Sequence, residues 1–326
     1  LDEVVVTAVG AQKKVNVTGA ITTVDLGDIK RTNPTNLSNA LAGNVAGVMA
    51  MQTSGQPGKN ISEFWIRGIS TFGASSSAYV LVDGFERKLD EVNIEDIESI
   101  SVLKDASATA IYGSKGANGV VLITTKHGKE GKININVKLQ SSYNTRTKTP
   151  EFVDGVTYAN LINEANVTRN RAAVYSPAEL EILRLGLDPD LYPNVDWKGK
   201  LLRDGAFNYR ANVDLRGGGS TARYFVSVGY LNEHGMYNTD ETLRKDYNTN
   251  ANYHRWNYRL NTDIDITRTT LLKVGVAGSL DKRNSPGLGD GDVWGELFGY
   301  TPIATPIMYS NGRFPAVGTG NKTNPW

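Results

Sequence analysis

Five segments in the second half of this chain alternate apolar and polar residues so regularly that each has to be an extended strand with one greasy face and one wet face. Ile133, Ile135, Val137, Leu139 and Tyr143 alternate with Asn134, Asn136, Lys138, Gln140 and Ser142. Phe207, Tyr209, Ala211, Val213 and Leu215 do the same with Asn208, Arg210, Asn212, Asp214 and Arg216. Tyr224, Val226, Val228 and Tyr230 make a third set. Trp256, Tyr258, Leu260, Ile264 and Ile266 make a fourth, against Asn257, Arg259, Asn261, Asp263 and Asp265, and Leu272, Val274, Val276 and Leu280 a fifth. A period of two places each set on its own face of a sheet. Each strand reads as about ten to twelve residues, which at a tilt of roughly 45° spans about 25 Å, the apolar height of an outer-membrane barrel. Strands of soluble domains usually stop at about five or six residues.

The connections alternate as well. Residues 144 to 205 and 232 to 254 are long excursions, whereas Gly217 to Ser220 (GGGS) and Thr267 to Thr270 (TRTT) are tight. Outer-membrane barrels carry long loops outside and short turns on the periplasmic side, so the first strand is expected to run outward and the second inward. Under that topology Tyr143, Phe207, Tyr209, Tyr230, Trp256 and Tyr258 all fall at outer strand ends, where an interfacial aromatic girdle belongs, and Tyr224 falls at an inner end. A soluble β-sandwich with one wet face explains the alternation equally well, but not strand length, loop asymmetry and aromatic placement together. The expected fold is a membrane β-barrel with about five antiparallel strands in residues 131–326. Five cannot close, and an open edge in lipid leaves backbone groups unsatisfied.

Composition removes several functions. With 35 basic and 34 acidic residues the formal charge is +1, so nothing points to nucleic acid. Cysteine is absent, which excludes disulfides, thiolate metal sites and a cysteine nucleophile. The three histidines, His127, His234 and His254, form no metal-binding pair and sit in a domain junction and an expected loop, so no metal, no cofactor and no catalytic triad is expected. No apolar run reaches the roughly 20 residues of a spanning helix. Leu1 opens without a charged and apolar leader, so any signal peptide is expected to have been removed.

Before a boundary at about Gly128 to Gly131 the chain reads as a small α+β unit. Leu37, Leu41 and Val45 mark one face of a helix across Pro34 to Val45, and Tyr79 to Val82 (YVLV) a strand that ends in the turn dipeptide Asp83-Gly84. Asp105 is placed to cap a helix running through Tyr112, with Gly113 as its left-handed terminus. Val120 to Thr125 (VVLITT) reads as a buried strand. The glycines of Tyr112 to Gly119 (YGSKGANG) fit neither a P-loop nor a dinucleotide fingerprint, since they follow a helix and open a strand. A tight turn packed closely on a barrel wall is expected instead. Arg210, Asp214, Arg216, Arg259, Asp263 and Asp265, on the polar strand face, read as a lumen that grips the first unit rather than as acid-base machinery.

The residues also carry a family resemblance. Leu1 to Gly10 (LDEVVVTAVG) looks like the TonB box of SusC-like TonB-dependent transporters, the RagA/SusC family. Ser54 to Gly58 (SGQPG), Ile66-Arg67-Gly68 and Val82-Asp83-Gly84 match segments of that family's plug domain. The strongest match is IEDIESISVLKDASATAIYGSKGANGVVLITTKHG, from Ile94 to Gly128. Gly219 to Gly235 and Asn257 to Ile266 resemble its early barrel, so the likeness covers most of residues 1 to 285.

The resemblance implies a TonB box in residues 1–10, carried by Asp2, Glu3, Val4, Val5, Val6, Thr7 and Ala8, whose β-branched backbone suits strand addition to a partner. It implies a plug in residues 11–130 with Arg67, Gly68, Asp83, Gly84, Lys104, Asp105, Tyr112, Gly113, Gly116 and Gly119 as its signature. The complete barrel of the family has 22 strands, and a further domain often precedes the box. The implied activity is TonB-dependent import of an oligomeric nutrient across the outer membrane, glycan first and peptide next, with the box on the periplasmic side. The implied partners are TonB with ExbB and ExbD, a SusD-like surface lipoprotein acting as a lid, and outer-membrane lipid; the family also admits a dimer of such pairs. Phe72, in the Gly/Ser-rich stretch Ser70 to Ala78, and Trp294, Phe298, Tyr300 and Tyr309, in the final loop, are candidates to meet substrate or lid, or to pack the loops on themselves. Two other readings stay open: a lid-less importer of siderophores or cobalamin, and a soluble β-rich binding module.

Overall fold

The computed structural model describes residues 4–7, 10–13, 21–32, 34–68, 77–239, 248–287 and 290–315, with only the backbone at 4–7, 10–13, 21 and 290–292. Asp2, Glu3, Ala8 and Phe72 lie outside the described residues. The chain divides into two compact units, one of Leu1–Ser142, Asn208–Glu233 and Tyr253–Arg283, the other of Tyr143–Phe207, His234–Asn252 and Asn284–Trp326.

The first unit begins with a two-stranded ribbon. β1 (Val4–Thr7) pairs antiparallel with β2 (Gly10–Lys13), Val4 opposite Lys13 and Thr7 opposite Gly10. There follow β3 (Ile21–Thr23), α1 (Leu26–Thr32), α2 (Leu37–Leu41) and the antiparallel hairpin of β4 (Val48–Gln52) with β5 (Ser62–Ile66). β6 (Tyr79–Val82), β7 (Phe85–Glu86), β8 (Ile97–Leu103), α3 (Ala106–Thr109) and β9 (Val120–Thr125) complete the α+β region. Its main sheet has the order β3-β8-β9-β6-β7, with β6 parallel to β9. β8 and β9 are the central pair, and Ile97, Ile100, Val102, Val121 and Ile123 pack beneath Ile29, Leu37 and Leu41 of the two helices. The buried, β-branched runs at Ile97–Leu103 and Val120–Thr125 are what a sheet covered on both faces requires.

Two local expectations change. α2 stops at Leu41, because Ala42 is extended (φ −63°, ψ 129°) and Gly43 takes a positive φ; Val45 still reaches the core, through a turn rather than a helix face. α3 is a single turn continued by a 3-10 segment across Ala110–Gly116, and Gly113 (φ 57°, ψ −140°) breaks that segment instead of closing an α-helix.

The polar-apolar strands form the second sheet, in the order β10 (Gly131–Thr145), β11 (Gly205–Gly218), β12 (Ala222–His234), β13 (Asn252–Thr267), β14 (Thr270–Asn284). It is antiparallel, and Val213 faces Val228 across the β11–β12 pair. The strands extend a few residues beyond the apolar runs at either end, so His234 closes β12 and His254 lies within β13 rather than in a loop. Ile133, Ile135, Val137, Leu139, Val213, Val228, Tyr258 and Ile266 all stay exposed along one face, a continuous apolar surface that a water-solvated sheet does not carry. Tyr230 and Trp256 pair across neighbouring strands at 4.4 Å between ring centres.

The second unit is helical. α4 (Gly155–Val167) starts where Asp154 accepts the Thr157 N–H, and α5 (Pro177–Leu185) starts on a reciprocal capping box between Ser176 and Glu179 and ends on left-handed Gly186. α6 (Trp197–Leu201) and α7 (Asp290–Gly299) bury Trp197, Leu201, Leu202 and Leu297 in a small core of their own.

Candidate functional site

The inward face of β13 meets the α+β region residue by residue. Tyr253 packs on Gly58 beside Arg283, and the Arg255 guanidinium donates to the Asp90 carbonyl while Asp281 holds its Nε at 2.9 Å. Asn257 donates to the Glu91 carbonyl (3.2 Å). Arg259 lies 3.4 Å from Asp83, 3.3 Å from the Thr125 hydroxyl and 3.5 Å from Asp96. Asn261 donates to Thr125 Oγ1 and to the Lys126 carbonyl, both at 2.8 Å, and Asp263 sits 3.2 Å from His127 Nδ1. Positions two apart recur about every 6.6 Å along a strand, so one row of side chains follows the seam along β13.

Neighbouring strands add rungs. Arg210 donates to the Pro34 and Thr35 carbonyls, Asn212 accepts from Asn93 at 2.7 Å, and Arg216 donates to the His127 carbonyl at 2.6 Å. Lys138 of β10 meets Glu95 at 2.6 Å, and Glu233 of β12 accepts from Asn60 at 3.0 Å. Two neighbouring carboxylates in the α+β region respond in opposite ways. Burial pushes Glu95 up, but the Lys138 hydrogen bond and the charges of Lys30 and Lys138 hold it below the ordinary range. Burial pushes Asp96 up, and the Ser227 hydroxyl and Arg259 do not cancel that. The Arg259–Asp96 approach is charge proximity rather than a short hydrogen bond, since Arg259 Nε and Asp96 Oδ1 have no hydrogen-bond partner.

The signature residues fall in three places. Arg67 and Gly68 form a turn of positive φ, from which Arg67 bonds Asp105 at 2.6 Å and the Lys104 carbonyl, while the Lys104 ammonium donates to the Ala46 carbonyl. Asp105 therefore serves an ion pair and makes no side-chain cap on α3. Asp83 and Gly84, both with positive φ, turn β6 into β7, and Asp83 accepts from Thr125 N–H and hydroxyl at 2.8 and 2.7 Å on the wall-facing side. Tyr112 rests edge-on against Tyr79, with ring centres 6.0 Å apart. Gly116 and Gly119 pack on Thr109 and Ile66, that is, on the α+β region itself and not on the strand wall as expected from sequence. The close wall approach is at Gly128, where a Cβ would collide with the backbone of Arg223 and Tyr224. Val4 to Thr7 are extended, with one edge taken by β2.

The TonB-dependent receptor plug domain family matches residues 13–120, which hold β3 to α3 and all of the signature positions. TonB-dependent receptor P26 of Formosa agariphila is 34% identical over 282 residues, 84% of this chain, and SusC of Bacteroides thetaiotaomicron 32% identical over 255 residues, 75% of it. The chain belongs to the SusC-like TonB-dependent receptors. It spans about a quarter of those relatives' length, 26% and 24%. Among solved structures, the RagAB peptide importer in its open-open state superposes with a TM-score of 0.76 at 27% identity, over 97% of this chain and 36% of that one. Members of this family are transporters, not enzymes. In its terms the α+β region is the plug and the five-stranded sheet is barrel wall.

The loop candidates come together in the second unit of this receptor. Trp294 stacks on Phe298 and Phe298 on Phe152, each at 5.8 Å, and Trp197 meets Tyr300 edge-on at 5.2 Å. Tyr309 lies apart, in a turn where its N–H donates to the Arg313 carbonyl and its carbonyl accepts from the Gly312 N–H. Sequence reasoning passed over Asn60, Asp90, Asn93, Glu95, Asp96 and Thr125. Their only signal was that the strand wall needed polar partners in the Asn93–Asp96 (NIED) segment and its neighbours.

Proposed function

We propose that this chain supplies the plug and first wall strands of an outer-membrane importer, powered from the periplasm by TonB and working with a SusD-like lid lipoprotein to take up an oligomeric nutrient. The seam carries this reading. It is built from hydrogen bonds, and Arg210, Arg216, Arg255, Asn257 and Asn261 all give theirs to backbone carbonyls of the plug. Such bonds hold a plug in place, yet water can replace them one after another when the plug is drawn aside, which a core of interlocked apolar side chains does not permit. TonB would add a strand to Val4–Thr7, which among the described strands is paired with β2. In this reading the box faces the periplasm, where TonB reaches it. No residue is assigned a catalytic role.

Glycan remains the first candidate substrate and peptide the second; the likeness to a peptide importer weighs for peptide. The test is deletion of Leu1 to Val9 from the full-length protein in its own outer membrane. Uptake is expected to vanish while surface binding of nutrient persists. Uptake that survives the deletion removes the box assignment and the TonB mechanism with it.

A further inference from the structure

The loop unit holds a cavity of about 540 Å³, within the range of sites that take small ligands. Its walls come from the residues before α4, the start of α6 and the end of α7. In its lining Trp197 and Leu297 are buried, and the Trp197 indole N–H donates to the Thr301 carbonyl. At the mouth Phe152 stays 42% exposed although Phe298 stacks on it, so a flat apolar ring is held in place and left uncovered. Tyr300 is fixed between Trp197 and the Thr305 hydroxyl, 3.1 Å away.

The polar lining mixes both hydrogen-bonding senses. Glu151, Asp154 and Asp196 supply acceptors, and the Lys198 ammonium and the Asn194 amide, whose oxygen is committed to Gly155 N–H, supply donors. A hydroxyl donates and accepts at once, so a mixed lining beside a flat ring matches a sugar, whose C–H face covers the ring while its hydroxyls meet the rim. A peptide held by strand addition would need a free strand edge, and the lining is made of helix ends and loop. With three carboxylates against one ammonium, the rim repels acidic sugars.

We propose that this cavity is a capture site for one or two neutral sugar units, separate from the seam of the plug. It rests on the glycan form of the import reading for its purpose, but its binding needs neither TonB nor uptake. The test uses the full-length protein in detergent, titrated calorimetrically with a panel of neutral trisaccharides including maltotriose and mannotriose, with trigalacturonate and with trialanine. At least one neutral trisaccharide is expected to bind. Phe152→Ala should weaken it by about tenfold or more, and Phe152→Tyr, which keeps the ring, should restore it. Glu151→Gln should narrow the gap between neutral and acidic trisaccharide. No neutral trisaccharide bound, or binding indifferent to Phe152→Ala in a protein with unchanged melting, overturns the site while leaving import intact. Binding of trialanine that Phe152→Ala abolishes overturns the sugar assignment in favour of peptide. Uptake that survives the box deletion, with this binding unchanged, removes the TonB-driven mechanism and leaves the site standing.

Discussion

The plug–wall seam of the first compact unit and the loop core of the second are held by different physics. In the first, the plug meets the wall through a seam of arginines, asparagines and carboxylates, many of them bonded to plug carbonyls rather than to plug side chains. In the second, the loops close on Trp197, Leu201, Leu202 and Leu297, with stacked aromatics around them. A hydrogen bond exchanged with water contributes only about 0.5–1.5 kcal/mol net, whereas a buried aromatic resists removal by about 3–5 kcal/mol. The seam is therefore a set of individually weak bonds that can be undone in sequence, and the loop core a single packed object. The seam can give way bond by bond, and the loop core keeps its shape or loses it as a whole.

The largest effects should fall on one residue in each region. Arg259→Met leaves buried Asp96 without its cation and should weaken plug seating by about 3–5 kcal/mol. Hydrogen exchange should then accelerate in β8 and β9, with α6 and α7 unchanged. Trp197→Ala should cost about 3–5 kcal/mol and accelerate exchange in α6 and α7, with β8 and β9 unchanged. If either substitution loosens both regions equally, the contrast between a sequential seam and a packed core is wrong.

A smaller effect tests the seam's charges. Glu95 is held below its ordinary value, so its contribution is present above the unfolded carboxyl pKa of about 4.3 and is lost as pH falls through the folded value. Asp96 is raised, so its contribution runs the other way, present below an unfolded value of about 3.9 and lost as pH rises through the folded one. The two partly cancel on acidification. Glu95→Gln should flatten the loss of β8 protection as pH falls below about 4.3, and Asp96→Asn should abolish the gain in protection that the parent shows as pH falls through the raised Asp96 value. Equal slopes in both variants and the parent would remove the charged pair from the account of plug seating.

How much of this was legible depended on whether an interaction leaves a mark on side-chain pattern. The wall strands did, because a sheet with lipid on one face and a plug on the other forces a period of two over its whole length, from Ile133 to Leu280. The Asp83-Gly84 turn did, since two consecutive positive φ values admit few residues. The seam did only in half: Arg210 and Asn257 were visible as polar residues of the strand face, but their partners are the carbonyls of Pro34, Thr35 and Glu91, and a carbonyl has no letter. Asp105 misled, because a carboxylate before a helix suits a cap and an arginine equally, and Arg67 lies 38 positions away. The helices of the loop unit were readable and were passed over; Ser176, Pro177 and Glu179 spell out a capping box, hidden only by treating residues 144 to 205 as undifferentiated loop.

The smallest effects separate the wall's two faces. Asn257→Ala removes one bond to a plug carbonyl and should cost about 1 kcal/mol, seen as faster exchange near Glu91. On the opposite face, Tyr230 and Trp256 touch at 4.4 Å, and a double-mutant cycle with leucine at both positions should return a coupling of about 0.5–1.5 kcal/mol. The two should differ in one further respect. The Asn257 bond lies in the seam, so its loss should ease plug release and raise the leak of a large antibiotic across the outer membrane. The aromatic pair lies on the lipid face, so its loss should lower the melting temperature of the barrel and leave the leak unchanged. A leak from the Tyr230 and Trp256 variants comparable to that of Asn257→Ala would mean that the wall transmits strain from its lipid face to the plug, and that the seam is not the element that decides release.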